Sequence, residues 1–460
     1  MNLTDRVAAF IVDTPRSAVP KEATDAAVRP IADTIGVIMA GSSGDAGKSV
    51  MAYADALGPV AGRTWTGSPA GLSPDTQALI SSTLGHALDY DDELAGVGHP
   101  SSILVSAILA LPLAELSGDQ VLEAFVIGYE VNVKVANALG HRHYRKGWHT
   151  TATVGGFGAA AAACRLLHLD LDQTRYALGI VASLAGGLQR NFGTMTKPLH
   201  SGLAARNGVL AAQLAQSGFT ASADILDGGR GFFDVYADQG DHPEAIDRLG
   251  APWAILDPGP TLKKYPCCYA THRPIDAVLQ LQARHGIEAD SIEKITVRAP
   301  TFGLHPLIYH DPKTGLQGKF CLEYVLSAAL VGKQVVLDDF SDTAINRPQV
   351  RRLMALVEAK EDPACRPEDP EAKNSSAGTG GFHIVTIRTA DGGEVSTKVQ
   401  YPSGSPYHPL SDADIAEKFR DCLAAGGRDA AAGARLFAQL TELQDVPDIH
   451  ALLAGFTVRG

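Results

Sequence analysis

Over about the first 250 residues, apolar positions recur at helical spacing, rich in Ala and Leu and poor in β-branched alternation. Pro20 can open a helix as its first residue, running to about Met39, and Pro30 inside that span predicts a kink or a split. Ser73-Pro74 reads as a cap followed by a helix that ends near 86–88. The turn Ser117-Gly118-Asp119 leads into an amphipathic run over 121–139. Asp170-x-x-Gln173 is a capping box ahead of a helix over 176–188, and a further helix covers 204–214. Several of these segments are apolar nearly all round, which places them inside a multi-layer bundle.

The pattern changes after Trp253. Pro252, Pro258, Pro260 and Pro266 interrupt the chain. A helix over 274–285 is followed by 292–299, where Ile, Thr and Val alternate with charge as in a strand. The clearest hairpin pairs 383–389 with 394–400 through Asp391-Gly392, after a Ser/Gly loop over 375–381. Beyond Ser411 the pattern is helical again. The fold expected is mainly α with an inserted α+β domain: a large all-helical domain holding both termini (1–264 and 403–460) and a smaller α+β lid (265–402). No internal repeat is present.

A chain of 460 residues exceeds what one core usually serves, which agrees with two domains. The net charge of -12 argues against general affinity for nucleic acid or an anionic membrane, and makes any basic cluster a local exception. The first residues lack the apolar core of a secretory leader, and the apolar run over 103–116, broken by Ser106, Pro112 and Glu115, reads as a buried helix. Six cysteines, scattered apart from the adjacent Cys267 and Cys268 and without a CxxC pair, fit a reducing cytoplasm.

Four stretches concentrate ionisable residues at helix ends. The first, from His86 through Asp89, Asp91, Asp92 and Glu93 to Gly98-His99-Pro100-Ser101-Ser102, packs four carboxylates into five residues, which is costly unless cations neutralise some. His99, just before a helix beginning near Ser101, stands beside a positive helix end that favours the neutral ring; a solvated acidic loop is the plain alternative. The second, Gly140 to Thr151, is dense in Arg142, Arg145 and Lys146, which suits an anion. A metal on His141, His143 and His149 is the rival there, opposed by those same cations. The third runs from Asn191 through Thr196-Lys197-Pro198 to Gly202. Lys197, extended because it precedes proline, meets a helix starting about Ser201 and can hold a substrate carboxylate with Thr196 and free backbone N–H groups; an ordinary surface lysine is the alternative. The fourth, Lys263-Lys264-Tyr265-Pro266-Cys267-Cys268-Tyr269-Ala270-Thr271-His272, lies at the expected domain junction. A disulfide between adjacent Cys267 and Cys268 would be strained, leaving either a thiol acid/base activated by lysine or a structural cysteine.

In this order the motifs resemble the 2-methylcitrate dehydratase (MmgE/PrpD) family: the His86-x-Leu88-Asp89-x-Asp91-Asp92 loop with Gly98-His99-Pro100-Ser101, Gly147-Trp148-His149 before a helix, Thr196-Lys197-Pro198-x-His200-x-Gly202, and Lys263-x-Tyr265-Pro266-x-Cys268-Tyr269. The resemblance covers nearly the whole chain. It implies a homodimer with its active site between a helical domain and a smaller lid, and proton transfer at carbon next to a carboxylate of a small di- or tricarboxylate. The family's reactions are dehydration of 2-methylcitrate, decarboxylation of cis-aconitate and epimerisation of iminodisuccinate. By the same resemblance the catalytic candidates are Asp89, His99, His149, Lys197, Tyr309 and Cys268, with Lys263, Thr196, Glu93, Ser101 and His272 as substrate contacts. Asp89 would orient an imidazole, and the lysines would stabilise the aci-carboxylate.

Two departures bear on the reaction. Glu93 stands where the decarboxylases place a threonine, and Cys268 where they place a histidine. Those departures disfavour decarboxylation; the motifs look closest to the iminodisuccinate epimerase branch, a look that does not fix the substrate, and dehydration is expected first with epimerisation as the alternative. A non-catalytic polycarboxylate-binding protein is the reading from outside enzymology. No GxGxxG after a strand and no Walker loop occurs, so no cofactor and no metal are expected; Gly155-Gly156-Phe157-Gly158 falls inside a helix and suits close packing.

Overall fold

The computed structural model describes residues 1–57, 62–227, 229–237, 242–366 and 380–456. Most of the loop expected over 375–381 therefore lies outside the described residues. Two compact units emerge, one of Met1–Arg190, Met195–Leu262 and Ser411–Gly460, the other of Asn191–Thr194 and Lys263–Leu410. Among the described residues no helix is long and apolar enough to cross a membrane.

The first unit is helical. The helices that frame the site are Pro74–Ala87, Pro100–Ala110, Gly118–Leu139, Thr150–Leu166 and Thr196–Gln216. Capping boxes start two helices of this unit, and the one expected over 176–188 runs Leu171–Ser183 because its box acts directly at Asp170. Ser117 accepts from the Gln120 N–H while Gln120 returns a bond to the Ser117 N–H, and Asp170 and Gln173 do the same for the helix Leu171–Ser183. The helix Pro100–Ala110 is buried almost all round, as its uniform apolarity requires. Lys21–Gly41 is one unbroken helix through Pro30, not a split pair. Proline removes one backbone bond there, and burial of every residue from Pro30 to Gly41 carries the helix on.

Glycine sets how closely the helices approach. A Cβ on Gly202 would fall 2.1 Å from Thr83 Oγ1 and 2.5 Å from the Leu79 carbonyl, so only glycine lets the 196–216 helix lie against the 74–87 helix. At Gly158 the Cβ would meet the Asn132 Cβ and the Gly128 carbonyl at 2.8 Å, a packing role rather than a phosphate loop.

The second unit is α+β. Its sheet has the order β2-β1-β3-β4, with β1 Ile292–Ala299 parallel to β2 Val357–Glu361 and antiparallel to β3 His383–Thr389, which pairs with β4 Glu394–Val399. Val297 faces Val385 and Ile295 faces Ile387 across the ladder, and these four side chains are buried. The helix His272–His285 packs on β3 and β4.

Candidate active site

In the helical unit, three helices begin at one place. His99 caps the 100–110 helix, His149 caps the 150–166 helix, and Lys197 is the second residue of the 196–216 helix. The Thr151 hydroxyl accepts from the His99 N–H at 3.3 Å, and Ser102 Oγ meets Ser201 Oγ at 3.0 Å, so the three starts are tied together. The positive dipole ends of three helices thus converge, an arrangement that favours an anion. The C-terminal turn of the 74–87 helix contributes His86.

The acidic loop between these helices is folded inward rather than solvated: Asp89, Asp91 and Asp92 are all buried. Each carboxylate has its own donors. Asp89 accepts from Lys197 Nζ at 2.9 Å, with Asp89 itself in the left-handed region at φ 52°. Asp91 bonds His86 Nδ1 at 2.9 Å and accepts from the Ser102 hydroxyl at 2.8 Å. Asp92 accepts from the Ser101 N–H at 3.0 Å and its hydroxyl at 2.6 Å. Burial pushes the Asp92 carboxyl up to about 8, and the Ser101 donors offset this only in part. Asp89, expected to orient an imidazole, pairs with the lysine, and His99 Nε2 stands 4.0 Å from its Oδ1.

Four imidazoles surround this ion pair. His99 Nδ1 lies 2.8 Å from the Asp92 carbonyl. A carbonyl only accepts, so Nδ1 carries the proton, and in the neutral ring Nε2 is left as a lone pair on the side of Asp89. The His86 ring packs against His99 with centroids 4.2 Å apart and planes tilted by 48°; its Nδ1 faces Asp91, and its Nε2 is buried without a hydrogen-bond partner. His149 Nδ1 meets His200 Nδ1 at 3.0 Å. Burial, then Lys197, hold His149 well below the ordinary histidine range, and burial lowers His200 to about 4. Burial lowers His86 too, against the pull of Asp91.

The MmgE/PrpD N-terminal domain matches residues 5–245 of this chain, and the MmgE/PrpD C-terminal domain matches residues 265–442. The chain belongs to the MmgE/PrpD family. Among its relatives is the cis-aconitate decarboxylase of Mus musculus, 30% identical over 406 residues that span 85% of this chain and 80% of the mouse protein. The cis-aconitate decarboxylase of Aspergillus terreus is 28% identical over 76% of this chain and 74% of its own. The cis-aconitate decarboxylase-like protein oryM of Aspergillus oryzae is 26% identical over 98% of this chain and 97% of its own.

Within this MmgE/PrpD chain the helical unit thus brings together Asp89, His99, Ser101, His149 and Lys197, with half-buried Thr196 opening the helix that carries the lysine. Lys197 is helical, not extended, and the helix begins at Thr196 rather than near Ser201. Proline is tolerated in a first turn because the N–H it lacks has no partner there anyway. Half-buried Glu93 is held through its backbone, which exchanges two bonds with Thr261 at 2.9 and 2.8 Å. The metal reading of the second stretch fails on His143, whose two ring nitrogens are committed to the Tyr236 carbonyl and the Thr153 hydroxyl. A different group, His86, Asp89, Asp91 and His99, has potential ligand atoms within 4.8 Å of one another. The Lys197 ammonium already neutralises Asp89 at that place, and a second cation beside it would be repelled.

Lys263, Cys268, His272 and Tyr309 belong to the second unit. Lys263 is fully buried. Cys268 is half-buried, with its N–H bonded to the Lys319 carbonyl, and neither it nor buried Cys267 forms a disulfide. His272 opens the helix His272–His285 and points Nε2 at the Cys267 carbonyl at 3.3 Å. The Tyr309 ring lies over Gly193, where a Cβ would fall 2.3 Å from Tyr309 Cε2. The residues not singled out from sequence are His86, Asp91 and His200. Their signal was there: each falls within a motif already noted, His200 one turn after Lys197 and His86 one turn before Asp89.

Proposed function

We propose that this chain is a cofactor-independent lyase that removes an α-proton from a small hydroxy-polycarboxylate and expels the β-hydroxyl as water, a dehydration of the 2-methylcitrate type. The observation that carries the reading is the fixed tautomer of His99: its Nδ1–H is spent on the Asp92 carbonyl, so its Nε2 lone pair is the base presented beside the Lys197–Asp89 pair. Lys197 and the three converging helix starts favour a carboxylate, and more strongly the doubly charged aci-carboxylate that forms when the α-proton leaves. In this scheme His99 Nε2 takes the proton, the C–H electrons pass into the carboxylate, and collapse of that dianion forms the double bond as the hydroxyl leaves with a proton from His149. Lys263, Thr196, Ser101, Glu93 and His272 would contact the remaining substrate groups, with Tyr309 and Cys268 as further acids, in an enzyme working as a homodimer.

The names of the relatives favour a second reading, loss of CO₂ from a cis-aconitate-like acid. Glu93 and Cys268 weigh against it, since by the family resemblance they stand where decarboxylases would carry threonine and histidine, and they put an acid and a thiol there. Epimerisation of an iminodisuccinate-like acid needs the same first step and a proton returned to the opposite face.

Incubating the protein in D₂O with 2-methylcitrate, citrate, cis-aconitate and iminodisuccinate separates the three. Unsaturated product from a hydroxy acid supports dehydration. Released CO₂ from cis-aconitate replaces it with decarboxylation. Deuterated, stereochemically scrambled iminodisuccinate without unsaturated product replaces it with epimerisation, and no turnover on any of them favours a binding protein.

A further inference from the structure

His149 and His200 face each other through atoms of the same kind, Nδ1 to Nδ1 at 3.0 Å. A neutral imidazole protonates one nitrogen only, so this contact needs one hydrogen between the rings. None would set two lone pairs together, and two would set N–H against N–H. The backbone leaves little room to escape. The His149 N–H is held by the Gly187 carbonyl at 3.0 Å, and the His149 carbonyl accepts from the N–H groups of Ala152 and Thr153. His200 sits inside the 196–216 helix, and a Cβ on Gly187 would fall 2.5 Å from the Ala152 Cβ and 3.4 Å from the His200 ring. Both imidazoles are buried.

We infer that His149 and His200 act as one proton-holding unit, in which His200 is a positioning residue that keeps a proton between the two Nδ1 atoms and shares the positive charge when His149 Nε2 is protonated. In the neutral pair, His149 donates Nδ1–H to His200 Nδ1, His200 keeps its second proton on Nε2, and His149 Nε2 is a lone pair. One added proton goes to His149 Nε2 and gives an imidazolium bridged to an imidazole, a charge-assisted bond. Giving that proton to a leaving hydroxyl returns the neutral pair. An isolated His149 could not hold the charge as well, because the groups facing it are the Lys197 ammonium and the rings of His86 and His99; Lys197 and His86 face His200. The carboxylate of Asp89 is already matched to Lys197. A polycarboxylate bound at Lys197 would offset that ammonium and let the pair charge. This catalytic use rests on the function proposed above; the shared proton does not.

The test is a pH titration of the full-length protein labelled with ¹⁵N-histidine, followed by NMR, with His149→Gln for assignment. We expect the two rings to titrate as one coupled step and to show an exchange-protected N–H···N proton. That proton should be absent in His200→Ala and His200→Asn, with the His149 step moved down by about one pH unit or more. Asn places an amide near where Nδ1 was, so it keeps the contact if alanine fails to fold, but it cannot share the charge. Independent titration of the two rings, or an unmoved His149 step in the variants, overturns the inference. If the coupling is found but His200→Asn turns over the substrate with wild-type kcat, KM and pH profile, the proton-holding pair stands and its place in the proposed mechanism falls.

Discussion

Lys197 Nζ and Asp89 Oδ1 are 2.9 Å apart with both side chains buried, and Asp89 holds a left-handed backbone to make the contact. Burying either charge alone is expensive, so removing one partner strands the other. Lys197→Ala should therefore lower stability by about 3–5 kcal/mol as well as abolish turnover. The double variant Lys197→Ala/Asp89→Asn should recover much of the stability and none of the activity. Urea midpoints with kcat/KM for the four proteins of the cycle decide this. Additive stability losses would mean that the pair is not coupled.

Buried neutral histidines tie stability to pH. The folded protein holds His143 and His200 near 4 and His383 near 3, mainly through burial, and His86 and His149 are lowered for the same reason. Unfolded, each titrates near 6.5. As pH falls from 6.5 towards 4 the unfolded chain takes up protons that the native one refuses, so each histidine makes stability fall with falling pH. His143→Asn should flatten the curve in that window by about 1.4 kcal/mol per pH unit. An unchanged slope, measured by urea unfolding at stepped pH, would mean that His143 is already charged in the native state.

Asp92 works in the opposite sense. Its folded value of about 8 lies above the ordinary 3.8, so the native state holds a proton that the unfolded chain has lost, and stability falls as pH rises between them. Asp92→Asn removes that dependence, and the variant should gain on the wild type as pH rises from about 5 to 8. Ser101→Ala deletes one of the two donors that hold the carboxylate and should cost about 1–3 kcal/mol. A wild-type unfolding midpoint for Ser101→Ala would contradict the described contact.

Much of this was legible in the residues and some was not. The capping box at Asp170, the Asp391-Gly392 hairpin and the alternation in 292–299 use local rules, and each forms where those rules place it, whereas Ser117, read only as part of a turn, is also a helix cap. The strand Val357–Glu361 escaped, because an edge strand with four of its five residues exposed carries no apolar alternation. Motif order pointed to His99, His149 and Lys197. Partner choice is a matter of tertiary packing: nothing in the spacing says that Asp89 meets a lysine more than a hundred residues away, or that Asp91 bonds His86.

In the second unit, Gly193 and Tyr309 offer a test free of charge effects. A methyl on Gly193 would fall 2.3 Å from Tyr309 Cε2 and 2.8 Å from its hydroxyl, so the ring must move. If Tyr309 supplies a proton, Gly193→Ala and Tyr309→Phe should reduce kcat alike, by about ten-fold or more. Full activity in Tyr309→Phe would remove that residue from the mechanism, whatever Gly193→Ala does.

The base is the centre of the account. His99, with Nδ1–H fixed on the Asp92 carbonyl, is placed to take the α-proton through Nε2. The most direct measurement is the rate at which the turned-over acid, recovered from D₂O, loses its α-proton to solvent with wild-type protein and with His99→Asn, at saturating acid. Exchange that falls by about 10²–10⁴-fold in His99→Asn, with the acid still bound, is the result expected. Exchange at the wild-type rate in that variant would contradict it.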